Sequence, residues 1–487
     1  MFEKVESFSL EEMDRFSTAS LITRSTNDCA QIQNIMSRGF NQLIRVPIMA
    51  GYALYKISTR YYQWMAFTAA SVSLLVVLLI FLVIYAHPRF RKMQYYTDNI
   101  NQVTRENMTG MRVVRAYNAE QYEEDKFDKA NEEYTVNALK ARRAMGLMQP
   151  VTKFVNNELN VGIYCIGAFL IAQSNSAEQL EIFSEMVVFS TYAARIVRAF
   201  MGLNMIFNMI PRASVSAERI NEVLDTELSI HDGNIDAKLE ESGCMEFKDV
   251  SFYYPEATTP ALSHISFTAN KGQTIAFIGS TGSGKSTIIN LMMRFYDPSS
   301  GSIVVDGVDI KDYKQNNLRG KMGYASQQAI LFTGTIRSNI AYAKKDIEEK
   351  VRRAGRIAQA DDFVSHKEGD INAKITRGGT NVSGGQKQRL SVARAVYREP
   401  EFYLFDDTFS ALDYKTDRIL RKTLKEETAG ITTFIVAQRI GTIKDADKIL
   451  VLDEGKIVGE GTHQELMENC QIYKEIAYTQ LSKEELA

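Results

Sequence analysis

Hydrophobic positions are unevenly distributed along this chain. A run of 23 uncharged and mostly apolar residues extends from Trp64 to Ala86. As an α-helix it is long enough to cross the hydrocarbon core of a bilayer, which is about 30 Å thick. Three weaker apolar stretches are interrupted by charges: Gly39–Tyr55, Val151–Ala172 and Ile182–Ile210. The pattern predicts four membrane-spanning helices within the first 211 residues.

The charges inside the weaker stretches leave two interpretations open. Charged side chains within a membrane normally face a bundle interior or a wet cavity, because their exposure to lipid is costly. Arg195 and Arg198 would then line a transport pathway. Alternatively, their segment extends into the cytosol, where both side chains are solvated.

Basic residues orient the predicted spans. The segment from HPRFRK to Arg143 is rich in Arg and Lys, whereas the loop SNSAEQLE has neither. The positive-inside rule makes the first segment cytoplasmic and the second external. The second half of the chain and both termini are then expected in the cytosol, and the protein is expected to be a multi-pass protein of the plasma or inner membrane. The stretch 88–145 has no proline after its first residue, and we predict two cytosolic helices there with a turn near Gly110.

From about Met245 the apolar runs become short and β-branched. QTIAFIG predicts a strand, and it is followed by a glycine-rich loop and the helical TIINLMMRF. A P-loop requires this order, because backbone N–H groups and the helix N-terminus face the phosphates. The loop residues are Gly279, Ser280, Thr281, Gly282, Ser283, Gly284, Lys285, Ser286 and Thr287. Lys285 would reach the β- and γ-phosphates of ATP, and Ser286 would bind Mg²⁺.

Two further motifs belong to the same chemistry. EFYLFDD predicts an apolar strand that ends in Asp406 and Asp407, and a carboxylate at this position lies on the magnesium side of a P-loop site. NVSGGQKQRLSVARA predicts a helix whose N-terminus presents a serine hydroxyl and bare backbone, which suit a γ-phosphate. The residues that open this helix are Ser383, Gly384, Gly385 and Gln386.

Composition excludes several classes of protein. The net charge is −2, with 45% hydrophobic and 24% charged residues, which argues against disorder and against a polybasic nucleic-acid binder. The mean hydropathy of −0.20 is an average over the apolar spans of the first half and the more polar second half of the chain. The four cysteines lack metal-ligand spacing and predict neither a zinc site nor a disulfide framework. The first residues are charged and lack the apolar region of a signal peptide.

The motifs and their order resemble the ATP-binding cassette (ABC) transporter superfamily, in the exporter type whose membrane domain precedes the cassette in one polypeptide. The resemblance implies a multidomain fold: an all-α polytopic membrane domain followed by an α/β P-loop NTPase cassette. We expect the membrane domain at 1–211, a linker at 212–242 and the cassette at 243–487. Segments near 12–21 and 107–118 resemble the two coupling helices, each of which rests on a cassette.

The resemblance also implies roles for individual residues. Tyr254 would stack on adenine, and Gln327 would bind Mg²⁺ and join its site to the membrane domain. The SALD sequence, which ends in Asp413, resembles the loop that crosses between two cassettes. In this family two cassettes close head to tail, so each ATP lies between the P-loop of one chain and the Ser383–Gln386 signature of the other.

Two positions depart from the family pattern. Asp407 stands where the family has the glutamate that polarises the attacking water, and Gln438 stands where it has a histidine. Together they resemble the degenerate half of a heterodimeric exporter. This site is expected to hold ATP and hydrolyse it slowly, while the signature completes the site of a second exporter half. A pair formed by two copies of this chain is the alternative.

The resemblance implies six membrane helices per chain, and Met1 falls where the second helix would emerge. We therefore expect four spans, with the first two helices missing. Two other functions remain open: a regulatory or scaffolding ATP-binding membrane subunit with little turnover, and a non-functional truncated fragment. A multidrug, lipid or peptide substrate is compatible with the sequence, and no nucleic acid is expected as a partner.

Overall fold

The computed structural model describes residues 1–58, 61–235 and 243–480. The chain divides into two compact units, one of Ile22–Leu224 and the other of Met1–Leu21 with Asp225–Ala487. The end of the expected linker, residues 236–242, lies outside the described residues. The boundaries expected at 211 and 243 remain predictions.

The amino-terminal part of the chain is helical. Its helices are α1 (Phe2–Glu6), α2 (Leu10–Phe16), α3 (Thr18–Thr23), α4 (Cys29–Asn34), α5 (Phe40–Ser58), α6 (Tyr62–Ala116), α7 (Glu120–Gly146), α8 (Met148–Gln173) and α9 (Ser176–Leu224). Two π-helical stretches, Arg24–Asp28 and Ile35–Gly39, join α3 to α4 and α4 to α5. Helix α9 continues without a break past residue 211.

Two helical segments of the described residues are long and apolar enough to cross a bilayer. They are Tyr62–Ala86 within α6 and a window within Glu120–Gln173. The other two predicted spans lie in α5 and α9. The four-span topology therefore remains a prediction.

The turn that the sequence predicts near Gly110 lies further along the chain in the structure. Helix α6 runs through Gly110 to Ala116, and the chain reverses at Tyr117–Ala119 before α7 begins. Glycine inside a helix costs only about 1 kcal/mol, which a long helix tolerates. Asn118 has φ of +50°, a conformation that Asn adopts more readily than most residues. Segment 107–118 is thus the end of α6 and its turn, and it is not a separate helix.

The helical unit packs around Trp64. This side chain is fully buried, its Nε1 donates to the carbonyl oxygen of Ile163 at 3.1 Å, and its ring centroid lies 5.4 Å from that of Phe189. A Cβ at Gly167 would lie 2.4 Å from Sδ of Met186. A glycine at this position therefore lets α8 and α9 approach closely beside the buried indole.

The second unit adds an α/β fold. Its strands are β1 (Met245–Phe252), β2 (Leu262–Ala269), β3 (Thr274–Gly279), β4 (Ser300–Val305), β5 (Val308–Asp309), β6 (Met322–Ala325), β7 (Gly334–Thr335), β8 (Lys374–Ile375), β9 (Phe402–Asp406), β10 (Thr432–Val436), β11 (Lys448–Asp453) and β12 (Lys456–Gly461). Its helices are α10 (Lys285–Met292), α11 (Gln315–Gly320), α12 (Ile336–Ile340), α13 (Glu348–Ile357), α14 (Asp361–Val364), α15 (Gly384–Tyr397), α16 (Tyr414–Glu427), α17 (Ile440–Ile443), α18 (His463–Asn469) and α19 (Gln471–Gln480).

A six-stranded sheet organises this unit, in the order β12-β11-β3-β10-β9-β6. The five strands from β11 to β6 are parallel, and β12 pairs antiparallel with β11. The central strands are buried on both faces, as all-parallel sheets require. Because they are parallel, their carboxyl ends meet at one edge of the sheet.

A smaller antiparallel sheet, in the order β2-β1-β4-β5, shares an apolar core with one face of the large sheet. Aromatic rings fill this core: Phe267 lies 4.5 Å from Phe247 and 5.6 Å from Phe277, centroid to centroid. A second apolar cluster includes residues of α13, α15 and the large sheet. The large sheet is therefore packed on both faces, and it supports the residues at its carboxyl edge.

Candidate functional site

Four adjacent parallel strands bring the predicted nucleotide residues to one edge of the large sheet. Strand β3 leads into the glycine-rich loop, β9 ends at Asp406, β10 ends two residues before Gln438, and β6 ends two residues before Gln327. The register pairs Val436 with Asp406 and with Phe277. Segments separated by more than 100 residues in sequence thus converge because of the strand order.

The glycine-rich loop has the predicted strand before it and the predicted helix after it, which confirms the P-loop context. Gly284 has φ of +96°, and a Cβ there would lie 2.6 Å from the Leu262 side chain. Position 284 therefore requires glycine for both its backbone conformation and its packing. Helix α10 begins at the next residue, so its N-terminus points at the loop.

Lys285 is folded back onto this loop. Its Nζ donates to the carbonyl oxygens of Gly279 at 2.9 Å and Ser280 at 2.6 Å, and to Oγ of Ser283 at 3.2 Å. Burial lowers the pKa of the Lys285 ammonium, while the nearby Asp407 and Asp406 act in the opposite direction. The Lys285 ammonium group is thereby held against the loop carbonyls, at the place where a polyphosphate would bind.

Ser286 and Asp406 are hydrogen-bonded, with Oγ of Ser286 donating to Oδ1 of Asp406 at 3.0 Å. Asp406 is only 5% exposed, and burial raises the pKa of its carboxyl group. A hydroxyl and a buried carboxylate are the hard oxygen donors that Mg²⁺ prefers, and this ion typically completes its shell with water and phosphate oxygens. These residues fit Mg²⁺ bound together with ATP. No group of three or more His, Cys, Asp or Glu in the described ranges is placed to hold a metal ion alone.

Asp407 receives amide hydrogen bonds from two directions. Nε2 of Gln438 donates to its Oδ2 at 3.0 Å, and the side chain of Gln327 also hydrogen-bonds to the carboxylate. Asp407 is 7% exposed, and burial raises the pKa of its carboxyl group although the side chains of Ser410 and Gln327 act in the opposite direction. The structure thus joins three residues that the sequence predicted separately.

The backbone at Asp407 is in the left-handed region, with φ of +46°. Its N–H donates to the carbonyl oxygen of Val436 at 3.0 Å, and Oγ of Ser410 donates to its carbonyl oxygen at 2.7 Å. Aspartate adopts this conformation more readily than most residues. The position of the carboxylate is therefore set by the backbone as well as by the two glutamines.

Tyr254 lies at the end of the P-loop. Its hydroxyl is 3.0 Å from Oγ1 of Thr287, and its ring packs edge-on against Phe252 and Tyr296, with centroids 4.9 and 5.4 Å away. The side chain is half-buried. An aromatic ring is thus fixed beside the P-loop, as stacking on a nucleotide base requires.

The signature residues form the N-terminus of the 14-residue helix α15. Oγ of Ser383 accepts from the N–H of Gln386 at 3.3 Å, and Oε1 of Gln386 accepts from the N–H of Ser383 at 3.1 Å. Ser383 and Gly384 are exposed, and Gly385 is half-buried. No hydrogen bond of the described residues connects Ser383–Gln386 to the P-loop. The structure therefore places the signature and the P-loop as separate surfaces.

Asp413 begins helix α16, and its Oδ1 accepts from the N–H of Thr416 at 2.9 Å. This bond from the Thr416 backbone lowers the pKa of the Asp413 carboxyl group. The residue is exposed. It shapes the end of the SALD loop and leaves that loop accessible.

Sequence reasoning missed Gln480, which braces the segment around Gln438. Its Nε2 donates to the carbonyl oxygen of Gln438 at 2.8 Å, and its Oε1 accepts from the N–H of Ile440 at 2.9 Å. One side chain thus satisfies two backbone groups beside the predicted switch position. No motif marks this residue, because the contact joins positions 42 apart through tertiary structure alone.

Helix α2 packs within the same unit as the cassette. Oε2 of Glu12 accepts from the Ser9 N–H at 2.7 Å, and its Oε1 accepts from the N–H of Ser229 at 2.7 Å. Burial acts to raise the pKa of Glu12, but bonds from Ser9 and Ser229 hold it below its usual value. The hydroxyl of Tyr296 donates to Oδ2 of Asp14 at 3.3 Å. Two carboxylates therefore attach α2 to this unit.

Tyr296 thus contacts both α2 and the ring of Tyr254. Burial, with Asp14 and Tyr254 as further causes, raises its pKa to about 12, so it remains a neutral donor at physiological pH. No local pattern marks this contact, since Asp14 and Tyr296 are 282 residues apart.

Comparison with known proteins agrees with both parts of the chain. Residues 1–200 match the family described as ABC transporter transmembrane region, and residues 262–410 match the family described as ABC transporter. An uncharacterized ABC transporter ATP-binding protein of Mycobacterium tuberculosis is 39% identical over 99% of this chain and 82% of its own length. An ATP-dependent lipid A-core flippase of Vibrio cholerae is 32% identical over 95% of this chain and 79% of its own length.

A solved structure of a bacterial Atm1-family ABC exporter with ATP bound is similar in fold. Its TM-score is 0.77 at 25% identity, and the match covers 99% of this chain and 84% of the other. The relatives and the fold agree with the P-loop site assembled above. The chain therefore belongs to the ABC transporter family, as an ATP-driven exporter protein that carries a transmembrane region and an ATPase cassette in one polypeptide.

Proposed function

We propose that this chain is the ATP-holding subunit of an asymmetric exporter pair. It binds Mg-ATP at its own degenerate site and donates its signature helix to the hydrolytic site of a second exporter half. The observation that carries this proposal is the Asp407 carboxylate, which accepts amide hydrogen bonds from Gln438 and Gln327.

The geometry at Asp407 is unfavourable for a general base. Its carboxylate is one methylene shorter than glutamate, which withdraws it by about 1.5 Å, and a displacement of about 1 Å can cost on the order of 10²-fold in rate. The bond from Gln438 stabilises the carboxylate where it lies, and an amide cannot exchange protons as an imidazole does. Both features favour retention of ATP over its hydrolysis.

The signature has the opposite character. Ser383 and Gly384 are exposed at the N-terminus of α15, and such a helix end attracts phosphate through its free N–H groups and its dipole. The exposed Asp413 ends the SALD loop, which would cross to the second cassette. These surfaces support a contribution to a site completed by another chain.

Movement would reach the membrane helices through two segments. Helix α2 is attached to the cassette unit through Glu12 and Asp14. At the end of α6, Met108, Val113 and Tyr117 are all at least 60% exposed. Apolar side chains exposed together commonly mark a protein contact, which fits docking of this tip on the second cassette.

The proposal is tested by identifying the nucleotide that each chain retains. The pair is incubated with radiolabelled 8-azido-ATP and Mg²⁺, washed, irradiated and separated. We expect this chain to carry mainly uncleaved ATP and the second chain mainly ADP. Lys285→Ala should remove label from this chain alone. Equal conversion to ADP on both chains would contradict the asymmetric assignment.

A regulatory or scaffolding subunit is the second candidate, since the amide bonds to Asp407 are also compatible with permanent ATP occupancy. Substrate-stimulated ATPase separates the two functions, because a scaffold would show ATP binding without stimulation. A non-functional fragment would fail to form an active pair. The relative named as a lipid A-core flippase makes lipids one substrate class to include, beside multidrug-like compounds and peptides.

Replacement of Tyr254 by Ala should weaken ATP binding at this site. Aromatic stacking contributes about 0.5–1.5 kcal/mol, so we expect a loss of roughly 2- to 12-fold in affinity for a fluorescent ATP analogue. Tyr254→Phe keeps the ring and should bind almost as the parent does. Tyr253→Ala removes the exposed neighbouring ring as a matched control. An equal loss in Tyr253→Ala would contradict the role given to Tyr254.

Replacement of Glu12 by Ala should uncouple transport from ATP binding. The change removes the capping-box bond from the Ser9 N–H to Glu12 and a charged hydrogen bond from the Ser229 N–H, the latter worth about 1.5–3 kcal/mol. We expect substrate-stimulated ATPase to fall about tenfold or more, with ATP affinity unchanged. Glu11→Ala is the control on the same helix. Full stimulation in Glu12→Ala would show that this attachment is dispensable.

A further inference from the structure

A cavity of about 620 Å³ lies in the cassette and is lined by residues outside the nucleotide site. It is bounded by α16, by Thr274 and Thr433 near the amino-terminal ends of β3 and β10, and by Asp445 and Ala446 after α17. The P-loop follows the carboxyl end of β3, so the cavity opens at the opposite edge of the sheet. Its volume lies within the range of about 300–1,000 Å³ that is typical of small-molecule sites.

One wall of this cavity is cationic. Arg418, Arg421, Lys422 and Lys425 all line it, and their spacing places them on one face of α16. The one acid among the lining residues is Asp445. In the part of the chain that the structure describes, Arg418 and Lys425 have no ion-pair partner. Lys422 has only a loose contact of 3.8 Å with the exposed Glu426.

Arg421 fixes this wall in place. Its guanidinium binds both carboxylate oxygens of Asp417, at 2.8 and 3.1 Å. It also donates to the carbonyl oxygens of Thr442 at 2.9 Å and Gly441 at 3.1 Å. The side chain is 14% exposed. Helix α16 and the segment of α17 are therefore tied together before any ligand arrives.

Apart from Asp445, the other walls are neutral. Threonine side chains and the backbone of Gly272 and Gly430 line these walls. Apolar side chains line them as well, of which Ile431 and Ile435 belong to the β10 region. We propose that this cavity binds an organic phosphate, with the anion on the α16 wall and the organic part on the apolar wall. Arg418 and Lys425, which have no ion-pair partner among the described residues, leave positive charge in excess of the single acid Asp445. The guanidinium of Arg418 can also match phosphate oxygens in a bidentate way.

Such a ligand would act on the ATPase from a distance. Helix α16 begins immediately after Asp413, and α17 begins two residues after Gln438. Arg421 already connects the two helices, and an anion on the same wall strengthens that connection. The proposed site is therefore a regulatory one. This proposal is independent of whether the nucleotide site of this chain hydrolyses ATP quickly or slowly.

The test uses pyridoxal 5′-phosphate, an organic phosphate whose aldehyde forms an imine with a nearby lysine. The full chain is assembled with its second half and saturated with Mg-ADP, treated with the probe, reduced with borohydride and mapped by mass spectrometry. We expect Lys422 and Lys425 to be labelled at least several-fold faster than Lys415, which lies on α16 outside the cavity. Excess inorganic phosphate should suppress the faster labelling, and sodium chloride of equal ionic strength should not.

Two variants make the result specific. Arg418→Gln should abolish the protection by inorganic phosphate while Lys422 and Lys425 remain as reporters, and Lys415→Gln should leave protection intact. Both residues are exposed, so neither change disturbs the core. Equal labelling of the three lysines, or full protection in Arg418→Gln, would overturn the proposal. Neither outcome depends on which chain hydrolyses ATP.

Discussion

Ser383→Arg is expected to stop most of the steady-state ATP hydrolysis by the assembled pair. The substitution removes the hydroxyl at the N-terminus of α15 and places a long side chain where the γ-phosphate of the second site would lie. Loss of a single preorganised donor to a reacting group costs about 10²- to 10³-fold, so a fall of that order is expected in phosphate release.

Asp407→Asn should by contrast change the same activity by no more than about twofold, because in the proposed asymmetric pair this carboxylate serves the site that contributes little turnover. Ser365→Arg is the matched control, since Ser365 is an exposed serine outside the signature. If Ser383→Arg leaves hydrolysis intact and Asp407→Asn abolishes it, the roles of the two sites are reversed.

Asp407→Glu combined with Gln438→His is expected to convert the proposed ATP-holding site into a hydrolytic one. The longer side chain returns the carboxylate by about 1.5 Å, and the imidazole replaces the amide that now donates to Oδ2 at 3.0 Å. We expect own-site turnover to rise on the order of 10²-fold. The measurement uses a pair in which the second chain's catalytic carboxylate has been replaced by an amide.

The two single substitutions complete a double-mutant cycle. Because Gln438 and Asp407 are in direct contact, their effects should not add, and each single change should recover only a small part of the rate. Unchanged hydrolysis in the double variant, with ATP still bound, would show that these two residues do not limit turnover.

Local pattern predicted the P-loop and the acidic end of β9, because each is a strand followed by its own motif. Their convergence follows from parallel strand order, which short-range periodicity does not encode. The bonds of Asp407 to Gln438 and Gln327 depend on that order, so sequence supplied the residues and the family resemblance supplied their roles. Gln480 and Tyr296 act through long-range contacts and carry no local signal.

The turn after α6 shows the opposite limitation. Glycine predicts a break near position 110, but Gly110 continues a helix, and the reversal occurs around Asn118, which has a left-handed backbone between α6 and α7. Propensity is a weak guide where tertiary packing decides.

The attachment of α2 also determines when this protein can finish folding. Glu12 accepts from Ser9 at the N-terminus of α2, which is a local contact, but its second bond needs Ser229, which is 217 residues later. At about 5–20 residues per second, the ribosome needs on the order of 10 to 40 seconds to supply that partner. During this interval the second carboxylate oxygen of Glu12 stays hydrated, so α2 becomes attached to the cassette unit only after Ser229 has been synthesised.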